Sequence, residues 1–332
     1  MNKKAGHTDS TGLLNLVKQI KSFDSDNLRD MRFVAVWDWD NTVIDGDVGD
    51  LVFNHLTSGH VKLANMSWYR DVHFLSQSVK HALSGFESNC NKDDCFEYNN
   101  FLRRIYYTFK DPQGEKAFVN YDENYFNPSY AMVGLMLDGY NREDLRKLLQ
   151  SYFKKITTND FNAVSKINGV IVPDRIRIRA VFRYFSEQLK SRNIPIIVLT
   201  ASPQFVIEEL TAFFNISVDR ILGIPYSLEN NTIKSNQKMF LQVNGMPVVN
   251  YKMGKIKCLE KYLPAGYQIV FSAGDSDSDL AFMKATLGPK ISIISNEKLY
   301  SVHEEAQNNK SGDWFVWKPG INDIKKESLN PN

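Results

Sequence analysis

The chain is poor in cysteine, with three among 332 residues: Cys90, Cys95 and Cys258. So sparse and odd a set builds no disulfide framework, and a reducing compartment is the expectation. Cys90 and Cys95 share the stretch CNKDDC, whose spacing tolerates a local bridge, but no neighbouring His or Cys completes a zinc site. An excess of one charge is missing as well. Lys plus Arg number 40 against 38 Asp plus Glu, a net charge of +2, which leaves no electrostatic footprint for nucleic acid. No apolar run reaches the length of a membrane span, and the basic start MNKKAGHTDSTGLLNLVKQIKSF holds none long enough for a signal peptide. The expected location is the cytoplasm, with export by a signal-less route as the alternative. Internal repeats and low-complexity tracts are absent too.

What remains is a chain long enough for two domains, or for one core with a large insertion. Residues 12–23 carry apolar positions at helical spacing. MRFVAVWD is a short continuous apolar run, as a buried parallel strand requires. A long helical zone follows, rich in Tyr and Phe, with helices expected at DLVFNHL, YNNFLRRIYYTF, YAMVGLML and REDLRKLLQSYFKKI. From Pro173 strands and helices alternate. PDRIRIRAVFRYFSEQLKSRN reads as a helix with Pro at its start and RIRIR on one face. IPIIVLT, RILGIPYSL, TIKSN, QIVFSAGD, KISIIS and DWFVW read as strands; PQFVIEELTAFF, GKIKCLEKYL and SDLAFMKA read as helices. Alternation of this kind implies a parallel sheet with helices on both faces. The expected division is an N-terminal extension (1–30), a Rossmann-like α/β core (31–47 and 173–320) and a helical cap inserted after the first strand (48–172).

Ligands of open α/β sheets bind beyond the carboxyl ends of the strands, so the chemistry is sought there. The first strand ends in Asp38 and Asp40, within VWDWDNTVID. IPIIVLT ends in Thr200, followed by Ala201 and Ser202, and QIVFSAGD ends in Asp275, with Asp279 four residues on. Lys255 opens a helix in MGKIKCL. Carboxylates this close repel unless a cation or a shared proton intervenes. Each residue type has a use in phosphoryl transfer. One carboxylate attacks phosphorus and a second moves the proton of the leaving group. Oxygen ligands hold a hard cation such as Mg²⁺, while a hydroxyl and an ammonium bind the phosphoryl oxygens.

DWDNT, IIVLTASP, GK at 254–255 and GDSDSD resemble, in order, the four motifs of the haloacid dehalogenase superfamily. From Pro173 to Met283 the chain is similar to that superfamily's phosphoserine and phosphorylcholine phosphatase branch. The resemblance covers about residues 31–50 and 173–318 and leaves the insertion unmatched. It implies Asp38 as nucleophile and Asp40 as general acid/base. It implies a Mg²⁺ site of Asp38, the Asp40 carbonyl and Asp275 with Asp279 in support, and Thr200, Ala201 and Lys255 as phosphate binders. Asp45 is a further candidate for substrate contact, although Asp45, Asp47 and Asp50 equally suit a solvated hinge. Ser202 reads as the cap of the next helix and Asp277 as a capping or solvated residue. Trp37 and Trp39 read as packing residues. Of Trp68, Tyr69, Phe74, Tyr106, Tyr107, Tyr121, Tyr125, Phe126 and Tyr130, most are expected in the cap's core and a few at a substrate.

The expected function is a Mg²⁺-dependent phosphatase of small phosphomonoesters, phosphoserine- or phosphorylcholine-like, with no nucleic-acid or membrane partner. A phosphoprotein phosphatase, a phosphotransferase or mutase, and an inactive binding scaffold are the alternatives.

Overall fold

The computed structural model describes residues 18–19, 32–90, 95–160, 162–167, 170–295 and 298–318. Apart from residues 18–19, the helix expected over 12–23 lies outside them. Strands β1 (Phe33–Trp37) and β2 (Ile44–Asp45) lead into helices α1 (Val48–Leu56), α2 (Gln77–Asn89), α3 (Phe96–Thr108), α4 (Pro128–Leu135) and α5 (Arg142–Thr158). Short strands β3 (Val164–Ile167), β4 (Val170–Pro173) and β5 (Arg177–Ile178) precede helix α6 (Ala180–Lys190). Then follow β6 (Ile196–Pro203), α7 (Gln204–Phe213), β7 (Arg220–Ile224) and two hairpins, β8 (Ser227–Glu229) with β9 (Thr232–Lys234) and β10 (Leu241–Val243) with β11 (Met246–Val248). Helix α8 (Met253–Tyr262), β12 (Gln268–Gly274), α9 (Leu280–Lys284), β13 (Lys290–Ile293), α10 (Ser301–Asn308) and β14 (Trp314–Trp317) close the order.

Six strands pair in parallel, in the order β14-β13-β12-β1-β6-β7. The mixed α/β architecture with a parallel central sheet is as the sequence predicted. Alternation along β1 sends its side chains to two cores. Ala35 and Trp37 join one, Val34 and Val36 the other. The second core is closed by Leu259 of α8 and Phe282 of α9. In the first, the Trp37 ring meets Phe182 edge-on at 5.1 Å and Phe271 at 5.2 Å. That core continues without a break into the helices between β2 and β5, through Phe53, Leu102, Met132 and Leu149. Those helices meet the sheet at the carboxyl ends of β6 and β7. A Cβ on Gly49 of α1 would stand 2.9 Å from the Ser202 hydroxyl, and one on Gly134 of α4 would stand 2.3 Å from Ile224 Cγ2.

The RIRIR stretch departs from expectation. Its period is two, not 3.6, and it forms β5, which pairs antiparallel with β2 through Ile44 with Ile178 and Asp45 with Arg177. Helix α6 therefore starts only at Ala180, and Pro173 closes β4 rather than opening a helix. Helices α2 and α10 and the β3–β4 and β10–β11 hairpins are elements that the apolar spacing did not single out. Cys90 and Cys95, at the facing ends of α2 and α3, are joined as a disulfide, with Cα atoms 4.9 Å apart, and Cys258 is free and buried. The local bridge that the spacing tolerated is thus present. Among the described residues no helix is long and apolar enough to cross a membrane.

Candidate active site

Three neighbouring strands, β6, β1 and β12, end side by side, and the acids of the sequence gather there. Asp38 follows β1 and is tied to the next strand by its N–H, which donates to the Ala273 carbonyl at 3.0 Å. Beyond it the chain turns sharply. The Thr42, Val43 and Ile44 amides all donate to the Trp39 carbonyl, and Asn41 takes a left-handed backbone (φ 58°) that its short polar side chain tolerates. This turn carries Asp40 beside β6. Asp40 Oδ1 accepts from the Val48 N–H at 2.7 Å, and Oδ2 accepts from the Ser202 hydroxyl at 2.7 Å and the Thr200 hydroxyl at 3.2 Å.

Lys255 reaches the same point from α8. Gly254 makes the approach possible, since a Cβ there would overlap the Val249 carbonyl oxygen at 2.0 Å and the Tyr125 carbonyl oxygen at 2.7 Å. The ammonium is 1% exposed and donates to Asp38 Oδ1 at 2.6 Å and to Asp279 Oδ1 at 2.5 Å. The other Asp279 oxygen accepts from the backbone N–H groups of Asp275 and Ser276, at 3.0 and 3.1 Å. Asp279 is therefore fully engaged in holding the loop after β12. Asp275 Oδ2 accepts from the Ser295 hydroxyl at 3.2 Å.

Buried Asp38, Asp275 and Asp279 each bring a carboxylate oxygen within 4.8 Å of the others. One lysine faces three acids, and the imbalance is visible in their titration. Burial, then Asp279, pushes Asp38 up to about 7, against the opposing pull of Lys255. Burial, then Asp38 and Asp279, raises Asp275 well above the carboxylate range. Burial would lower the Lys255 ammonium, but Asp279 and Asp38 more than offset it and push it up. Asp40 is partly open yet hemmed in by protein, and this raises it to about 6, with the Ser202, Val48 and Thr200 hydrogen bonds opposing. Oxygen-only carboxylate donors with uncompensated charge suit a hard divalent cation, whose opposed ligands stand about 4–5 Å apart.

The structure thus brings together Asp38, Asp40, Thr200, Lys255, Asp275 and Asp279. Ala201 lies on the same strand end, half-buried between Thr200 and Ser202. Asp45 is not part of this cluster: both its oxygens are taken, by Arg175 and Arg179 at 3.1 Å each. Ser202 belongs to the site instead, through Asp40, and gives helix α7 no side-chain cap. Asp277 does cap, but across the chain, accepting from the N–H of Ser301 at the start of α10. Trp37 and Trp39 are wholly buried.

Asp47 and Asp50, read as equally suited to a hinge, lie close behind Asp40. Asp47 caps α1 by accepting from the Asp50 N–H at 2.9 Å, and Asp50 accepts from the Tyr106 hydroxyl at 2.6 Å. Burial raises Asp47 well above its ordinary value, and Asp50, Asp40 and Asp275 raise it further. Asp47, Asp50 and Asp40 in turn push up the Tyr130 phenol, after burial. An acidic, tyrosine-rich wall therefore adjoins the carboxylate cluster. The D-G-D spacing after the first motif is the signal that could have found it.

Comparison with known proteins follows the same lines. Residues 124–284 match the family model "haloacid dehalogenase-like hydrolase", a span that takes in Thr200, Lys255, Asp275 and Asp279 and leaves Asp38 and Asp40 outside. No curated protein matches the sequence. A conserved protein of unknown function from Anaerococcus prevotii DSM 20548 has a similar fold, with TM-score 0.62 and 15% identity over 96% of this chain and 98% of that one. A protein of unknown function from Bordetella pertussis Tohama I follows at TM-score 0.48 and 12% identity, covering 86% of this chain and 98% of its own. A phosphoserine phosphatase, solved as a phospho-aspartyl intermediate analogue, gives TM-score 0.39 and 10% identity over 90% and 99% of the two chains. The four motifs, the parallel sheet and the matched model agree in a likeness to haloacid dehalogenase-like hydrolases, the model spanning residues 124–284 of the 332.

Proposed function

We propose that the protein is a Mg²⁺-dependent phosphatase of small phosphomonoesters that works through a phosphorylated Asp38. The observation that carries this reading is the convergence of Asp38, Lys255, Asp275 and Asp279 at the ends of adjacent strands, with Asp40 beside Asp38 and bonded to Thr200. Asp38, the Asp40 carbonyl and Asp275 would hold the cation, with Asp279 fixing the loop. When bound, Mg²⁺ supplies positive charge against the phosphoryl oxygens and the clustered carboxylates.

The steps use the chain's own groups. Lys255 holds Asp38 Oδ1 and leaves Oδ2 to form a bond to phosphorus. As the ester P–O bond breaks, Asp40 gives its proton to the departing oxygen. A value near 6 leaves part of its population protonated close to neutrality, as a general acid needs. Asp40 then takes a proton from water as that water attacks phosphorus, the Asp38 acyl phosphate opens, and inorganic phosphate leaves. Lys255 and the Thr200 hydroxyl, turned from Asp40, steady the transferring oxygens, with Ala201 beside them.

Residues 48–172 form the cap in this reading, inserted into a core of 31–47 and 173–320, with 1–30 as an extension. Helices α1 and α4 are set against the ends of β6 and β7, and a cap so placed favours a small ester over a folded protein. Asp47, Asp50, Tyr106 and Tyr130 would offer carboxyl oxygens and aromatic faces to a cationic head group, as in phosphoserine or phosphorylcholine, whose positive charge would favour ionisation of the raised Asp47 and Asp50.

The test is hydrolysis of para-nitrophenyl phosphate with and without Mg²⁺, beside phosphoserine, phosphorylcholine and a phosphopeptide set. Asp38→Asn is expected to abolish a Mg²⁺-dependent turnover. Turnover that survives the substitution refutes the nucleophile, and a preference for phosphopeptides refutes the substrate class.

A further inference from the structure

Away from this cluster the described residues enclose a groove of about 530 Å³, lined by the C-terminal half of α1, by α5 and by the β3–β4 hairpin. Its charged lining is one-sided. His55, His60, Arg103, Lys155 and Lys166 face it, with Asp174 as the sole carboxylate. Asp174 already accepts from the Ser165 hydroxyl at 3.2 Å. Among the described residues Lys155 and Lys166 form no ion pair, and Arg103 donates to uncharged acceptors, the Thr57 hydroxyl at 3.0 Å and the Asn54 carbonyl at 3.4 Å. The His55 ring lies flat on Tyr152, with centroids 4.1 Å apart and planes 2° from parallel. Its Nε2 is buried with no hydrogen-bond partner among the described residues. Burial, then Lys155 and His60, pushes His55 down to about 4, so its imidazole is uncharged near neutrality.

A solvated basic face explains little of this. Exposed lysines are ordinary on such a face, but it encloses no cavity and leaves no buried imidazole nitrogen unpartnered. Here the cations converge on one concave space, and His55 is depressed first by its burial and then by Lys155. An anion is the missing countercharge. Ser58, Ser151 and Ser165 add hydroxyl donors to the same lining, and several donors with several cations suit a tetrahedral phosphoryl group better than one carboxylate. The volume falls in the range of about 300–1,000 Å³ that small-molecule sites occupy. We propose that this groove is a second ligand site, for a small molecule bearing a phosphate or pyrophosphate group. It is distinct from the carboxylate cluster: Asp47 and His55 are the two ends of α1, roughly 12 Å apart along the helix.

The probe is inorganic pyrophosphate, titrated into the full chain labelled with ¹³C in histidine and followed by NMR. His55→Gln and His60→Gln assign the resonances. The His55 and His60 signals are expected to shift together and saturate in the micromolar to millimolar range. Lys155→Ala/Lys166→Ala is expected to weaken that affinity about tenfold or more, while its circular dichroism and melting temperature stay those of the wild type. Both lysines are exposed, so folding is not at stake. An unmoved His55 signal at millimolar pyrophosphate overturns the proposal. So does a saturating shift whose affinity is the same in the double variant.

Discussion

Asp38 and Asp40 are two residues apart yet meet different surroundings, and their proposed roles follow from that. Asp38 is anchored by an ammonium, and Asp40 by hydroxyls and one backbone N–H. The leaving group tells the two apart. Asp40→Asn is expected to slow hydrolysis of an alkyl phosphomonoester by about a hundred- to ten-thousand-fold, since an alkoxide leaves poorly without a proton. Phosphorylation by para-nitrophenyl phosphate should suffer less, because nitrophenolate leaves unprotonated. Equal losses in the first half-reaction for both esters, measured by rapid mixing, would contradict the assignment. These acids were legible because each follows an apolar strand. Ser202 was not, because a hydroxyl before Pro at a helix start has the same local pattern as a cap. Asp45 misled for the converse reason: its acid is used by Arg175 and Arg179, which lie far off in sequence.

Elements deliver these groups, and two glycines set their fit. Gly254 lets α8 begin against two carbonyl oxygens, so Gly254→Ala has to move the turn that carries Lys255. A loss of about a hundredfold in kcat is expected, as for a misplacement of roughly 1 Å. Gly85→Ala is the control: its Cβ would meet nothing within 4 Å, and as a helix-interior change it should gain up to about 1 kcal/mol in thermal unfolding. Wild-type kinetics in Gly254→Ala would refute the close fit. In a second pair, Gly134→Ala presses on Ile224 Cγ2 and is expected to cost about 1–3 kcal/mol, and less in an Ile224→Ala background, which lacks that methyl. Additive losses in that cycle would mean the helix and strand are not in register as described. Helices α1, α3, α4 and α5 of the 48–158 stretch were legible from their 3.6-residue period, and α2 was not. Strand β5 was not, because RIRIR also carries Pro two residues before it and a true helix just after it. Its two-residue alternation was the better guide, although Arg177 and Arg179 end up buried along with Ile176 and Ile178.

At the scale of the molecule, the sheet collects the negative charge and the fold has to tolerate it. The parallel sheet was legible because buried strands read as continuous apolar runs. The packing of α1–α5 on that sheet was not, because contacts such as Gly134 with Ile224 leave no local pattern. Asp38 has an ordinary value near 4 and a folded value of about 7, so its ionisation opposes folding. Its contribution to stability is intact below about pH 4 and is lost as pH rises toward 7. Bound Mg²⁺ reverses this, because the ionised carboxylates are then ligands, whereas protons compete for them at low pH. Saturating Mg²⁺ is therefore expected to raise the melting temperature by about 4–8 °C at pH 8 and by much less at pH 5. An equal rise at both values would place the cation elsewhere.

The most direct test of the central claim is to trap the phosphorylated chain. Asp40→Asn lacks the base for the second step, so para-nitrophenyl phosphate and Mg²⁺ followed by an acid quench should leave a phosphoryl group in place. Peptide mass spectrometry is predicted to find that mass increment on Asp38, and no increment when Asp38→Asn is added. A phosphoryl group on another residue, or nitrophenol release with no phosphorylated peptide at any quench time, would contradict the account.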